Sequence, residues 1–104
     1  MAWFYLVLAG LLEVVWATAM KQSHGFTRIL PTAVMTVGMV ASFWLLAVAM
    51  RTLPLGTSYT VWVGIGAVGA FLAGIALFGE PVTPARLLAA GLIVAGIVTM
   101  KLAS

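Results

Sequence analysis

The chain has 104 residues, 64% hydrophobic and only 7% charged, where a soluble domain carries about a quarter charged residues. Two acids, Glu13 and Glu80, stand against five Lys and Arg placed singly along the chain, for a net charge of +3; there is no basic stripe of the kind a nucleic-acid binder needs. With no cysteine and a single histidine, His24, the sequence offers neither thiol chemistry nor a metal-ligand set, so the composition is that of a membrane protein with no metal or other cofactor expected.

Charged and turn-forming residues divide the sequence into four apolar segments, each near the ~20 residues that cross a bilayer as a helix. The first, 2–20, is apolar except for Glu13. It lacks a basic start, carries an acid at its centre and is followed by Lys21, which marks a retained helix and not a cleaved signal. Trp3, Phe4 and Tyr5 at its beginning have the make-up of an interfacial aromatic belt. The second segment, 29–50, is free of charge and holds Ser42 near its middle; Trp44 fits packing or lipid contact. From Leu53 to Gly79 the chain is again uncharged, and Gly56-Thr57-Ser58 sets the expected start of a helix over 57–78. The fourth helix is expected over 84–102, with Thr83 as its N-cap and Pro84 in its first position, and with Arg86 and Lys101 snorkelling near its ends. The separators "KQSHGFTR", "RTLPLG" and "GEPVTP" carry the residues of tight connections. The expected fold is all-α, four transmembrane helices forming a single domain over 1–104.

Glu13 is the residue that calls for a function. An ionised acid in a lipid-facing helix costs at least ~2.5 kcal/mol, so it needs a partner, a proton or a role. No basic residue lies at matching depth, and Gly10 and Ala17, one turn to either side, leave room for a second helix or a ligand to approach. An acid that only bonds a neighbouring helix is the plainer alternative; the sharper reading is a proton-binding site that also takes a cation. Tyr59 and Trp62 share one face of the third helix, and an aromatic wall beside a carboxylate suits a cation. From spacing alone Trp16 fits belt and site equally, and Ser42 fits a bond to ligand or Glu13 as well as one to its own helix backbone. Gly64 and Gly66 permit a kink. Gly66, Ala70 and Gly74 form a ridge of small residues, and Gly91, Ala95 and Thr99, with Gly96 beside them, repeat the spacing in the fourth helix, which reads as an assembly surface.

Four short helices scarcely enclose a pathway, which points to a dimer. Arg51 and Lys101 fall on one membrane side and Lys21, Arg28 and Arg86 on the other. So even a balance favours insertion in both directions, and opposed copies would resemble the inverted repeats of larger transporters.

The stretches "GLLEVVWATAMKQSHGFTR", "ASFWLLAVAMRTLPLGTSYTVWVGIG" and "GEPVTPARLLAAGLIVAGIV" resemble the small multidrug resistance family, most closely its guanidinium-exporter branch, over essentially the full chain. The resemblance implies an antiparallel, dual-topology homodimer in the plasma membrane (the bacterial inner membrane) that exchanges protons for small cations by alternating access and is not an enzyme. It implies Glu13 as the shared proton and substrate site, with Gly10, Trp16, Ser42, Tyr59 and Trp62 lining it. Trp16 and Ser42 are expected to orient Glu13, Gly64 and Gly66 to form the switching kink, and Gly91, Ala95 and Gly96 to lie in the dimer contact. The quaternary-ammonium branch typically has Gly where this chain has Trp16 and Tyr where it has Met39, and both differences favour the guanidinium branch. A broader quaternary-ammonium exporter and a non-transporting assembly protein are the rival expectations.

Overall fold

The computed structural model describes residues 1–103. Four helices occupy most of that length: α1 (Ala2–Gln22), α2 (Ile29–Ala49), α3 (Leu55–Phe78) and α4 (Pro84–Leu102). Each is long and apolar enough to cross a membrane. With every backbone group inside a helix bonded to its own helix, these segments meet the requirement that hydrocarbon imposes on a spanning chain.

The helix ends follow from local chemistry. Helix α3 begins at Leu55, ahead of the expected position 57, because Pro54 supplies its N-cap at φ −61° and ψ 152°. A proline lacks the N–H that would be left unpaired there, and Gly56 is drawn into the first turn. Gly79 closes α3 in the left-handed conformation, φ 65°. Thr83 caps α4 by accepting a 3.2 Å bond from the Arg86 N–H, with Pro84 in the first turn. Helix α1 runs on to Gln22, and α2 stops at Ala49.

Helix α1 lies between α2 and α3, whereas α4 packs along α3 and reaches α1 only where the Lys101 ammonium stands over the Trp3 ring, 4.6 Å from its centroid. The core where α1, α2 and α3 meet is Leu6, Ala9, Leu45, Leu46, Ala49, Val61 and Trp62. Because lipid tails are as apolar as these side chains, close packing and interhelical hydrogen bonds hold such a bundle, not transfer from water. No residue of α4 is buried. The chain is flattened, 41 × 34 × 16 Å.

Candidate functional site

Glu13 stands near the middle of α1, and its carboxyl group rests directly on the backbone of α3. Gly66 makes this possible: a Cβ at that position would collide with Glu13 Oε1 and lie 2.8 Å from Cγ. Oε1 is buried and has no hydrogen-bond partner among the described residues. An acceptor buried this way is costly unless something fills its remaining valence, and a proton or a cationic donor does so.

One turn along the same face of α3 stands Trp62, 6% exposed. Its indole N–H donates to Ser42 Oγ at 3.0 Å, and the Ser42 hydroxyl donates to the Ala9 carbonyl at 2.7 Å. Ser42 is fully buried and ties α1, α2 and α3 together at one level. Its hydroxyl is therefore engaged neither with Glu13 nor with its own helix, two of the three partners that the sequence suggests.

The aromatic wall is longer than the sequence pattern indicates. Tyr59 lies 5.7 Å from Trp62 between ring centroids, at 47°; Phe43 lies 5.6 Å from Trp62 at 59°; and Trp16 meets Phe43 edge-on at 6.3 Å and 71°. These rings make a continuous strip across three helices, with Tyr59 at its open end, 53% exposed. Phe43 is the member that sequence reasoning missed. Its only signal is adjacency to Ser42, since its place between Trp16 and Trp62 arises from the crossing of three helices. Trp16 sits against Gly38, where a Cβ would come 3.2 Å from Trp16 Cβ, and its own indole Nε1 is buried and unpaired.

The other expected site residues lie as follows. Neither Trp16 nor Ser42 hydrogen-bonds Glu13 among the described residues; what seats the carboxyl is the bare backbone at Gly66. Gly10 is a contact point and not an open wall: a Cβ there would be 2.7 Å from Ile65 Cγ2, so its lack of a side chain lets α1 and α3 close together. Helix α3 continues unbroken through Gly64 and Gly66. Gly64 instead accommodates Ile97 of α4, whose Cδ1 would lie 2.7 Å from an added Cβ. Gly91, Ala95 and Gly96 are exposed, and a Cβ at Gly91 or Gly96 would meet nothing within 4 Å.

The arrangement has the chemistry to hold a cation. A half-buried acid supplies the charge, and the indole of Trp62, its N–H already occupied, presents its ring as a second attraction for a positive ion. A planar ion with several N–H donors satisfies both oxygens of a carboxylate while lying flat against a ring.

Residues 1–93 match the family described as Small Multidrug Resistance protein. The chain is 58% identical over 104 residues to a protein of Yersinia pestis named guanidinium exporter, covering all of both chains. It is 57% identical to proteins of the same name from Citrobacter freundii and Salmonella typhimurium, covering all of this chain and 99% of theirs.

Proposed function

This chain belongs to the small multidrug resistance family, and from that premise we propose that it is a proton-coupled antiporter exporting guanidinium and small guanidinyl cations by alternating access. It is a multi-pass membrane protein, and the bilayer in which it works is the bacterial inner membrane. The observation that carries the reading is the Glu13 carboxyl, unpaired on Gly66 and one turn from the Trp62 ring. The names of its relatives supply the substrate class.

The flattened protomer is too thin to surround a pathway, and the unburied face of α4, with Gly91, Ala95 and Gly96 on it, is suited to a second copy. The working unit is an antiparallel homodimer that brings two Glu13 carboxylates to one central cavity. Deprotonated Glu13 takes the cation from the cytoplasm, the dimer rocks, and protons arriving from outside displace the cation. Since both ligands compete for the same carboxyl groups, an inward proton gradient drives export. Trp16, Ser42, Tyr59 and Trp62 shape the site, Ser42 by fixing the Trp62 ring. Gly10, Gly64 and Gly66 set the helix spacing within which α3 moves.

The test is purified protein in liposomes with an imposed pH gradient, measuring guanidinium flux beside that of tetraalkylammonium ions. Gradient-dependent guanidinium flux is expected. Comparable flux of a bulky quaternary ion would favour the broader exporter, and absence of any coupled flux would favour an assembly protein.

A further inference from the structure

The second acid of the chain lies at one end of the helices, where it lines a cavity of about 320 Å³ between α1 and α3. Gly79 turns the chain back at φ 65°, and the Glu80 N–H donates to the Gly74 carbonyl at 3.2 Å. This fold-back lays the Glu80 carboxyl on Gly74, where an added Cβ would collide with its Oε1. Two carboxyl groups therefore rest on glycine backbone of the same helix, Glu13 on Gly66 and Glu80 on Gly74, about 12 Å apart along the axis at ~1.5 Å per residue. The cavity spans most of that interval, stopping short of Glu13 and Gly66. Its walls include Thr18, Lys21, Phe71 and Phe78 near Glu80, and at the inner end Ala17, one turn from Glu13, and Ala67, next to Gly66.

Lys21 already shows what chemistry the cavity accepts. Its ammonium group stands over the Phe78 ring, 5.5 Å from the centroid, while among the described residues no ion pair or hydrogen bond engages the Glu80 carboxyl. Carboxylate and aromatic faces occur together here as they do at Glu13.

We propose that Glu80 is a second cation-binding group, an entry site that holds the planar cation at the mouth of the cavity before it passes to Glu13, with the Lys21 ammonium as its built-in competitor. This rests on the exporter reading for the identity of the cation and for its passage to Glu13. In opposed copies each membrane face receives one such mouth. A carboxylate a few ångströms from the path raises the local concentration of cations, and the effect fades as salt screens it.

The test uses the absence of cysteine. Thr18→Cys places a thiol in the cavity wall, and its labelling in vesicles is timed with a trimethylammonium methanethiosulfonate and with the neutral methyl reagent. In about 10 mM salt the cationic-to-neutral rate ratio is expected to fall about three- to tenfold on Glu80→Gln and to rise on Lys21→Gln, the differences vanishing near 1 M salt. Guanidinium chloride is expected to slow cationic labelling more than equal sodium chloride when Glu80 is present, and equally when it is Gln. In transport, Glu80→Gln raises the guanidinium KM with the maximal rate kept. An unchanged ratio would overturn the entry site, as would a parallel loss of the neutral rate, which would mean that Glu80 only props the cavity open. Wild-type vesicles that carry no guanidinium while the ratio shifts as expected would remove the exporter reading and leave the cation site standing.

Discussion

Ser42→Ala removes one oxygen and severs two bonds, the 2.7 Å donation to the Ala9 carbonyl and the 3.0 Å bond from the Trp62 indole. The two losses differ in kind. The Ala9 carbonyl keeps its own helical partner, whereas the indole N–H, in a side chain 6% exposed, is left without an acceptor. Interhelical hydrogen bonds in membranes average ~0.6 kcal/mol and reach ~1.7, and an orphaned buried donor costs ~1–3 kcal/mol. The expected destabilisation is therefore about 1–2 kcal/mol, most of it from Trp62. Replacing Trp62 by Phe removes the orphaned donor, so Ser42→Ala made in a Trp62→Phe background should cost less than it does alone, by about 0.6–1.5 kcal/mol. The assay is a double-mutant cycle of unfolding in mixed micelles at fixed protein concentration, since association would otherwise shift the midpoint. Additivity within ~0.3 kcal/mol would refute the bridge as an energetic link. A second readout follows from the same bond: with its indole untethered, the ring loses its fixed pose, and the guanidinium KM rises in Ser42→Ala.

Gly66→Ala puts a methyl group where the Glu13 carboxyl now rests; guanidinium affinity should drop by an order of magnitude or more (about 1.4 kcal/mol per tenfold), and unchanged affinity by calorimetry would mean that the seat is irrelevant. Gly91→Ala adds a methyl that meets nothing within 4 Å in the protomer, so it should leave the helical content intact and weaken dimerisation, as read by cross-linking or sedimentation in detergent. Glu13→Gln should fold and dimerise yet lose flux driven by a pH gradient, because an amide exchanges no proton; Glu13→Asp should keep part of it. Two lysines added at the C-terminus should bias insertion one way and two added within 21–28 the other, each variant transporting poorly alone and the pair recovering flux on coexpression, with thiol labelling of an added terminal cysteine reporting orientation.

The four spans were legible because hydrocarbon selects for length and apolarity, and both are one-dimensional properties of a sequence. The α4 start was legible for a similar reason: Thr83 and Pro84 are local signals, and the capping bond spans three residues. Helix α3 starts two residues ahead of the expected position because Pro54 constrains the chain more strongly than Gly56 does. Glu13 announced itself by cost alone. Its surroundings did not, because they depend on which helices cross at which height. Ser42 bonds a carbonyl 33 positions away, and no spacing rule within one helix reaches that far. Gly66 was read as a hinge and as part of a ridge, yet an absent side chain gives no hint of which group will occupy its place.

The attachment of α4 bears on how stability is shared along the chain. Residues of α1, α2 and α3 supply the buried core and the Ser42 bridge. Helix α4 adds to that three-helix body by packing along α3, with Lys101 reaching the Trp3 ring of α1. Since stability is unevenly spread over a structure, the last helix belongs to its least protected end. The unburied face of α4 is therefore carried by the helix that local opening releases most readily.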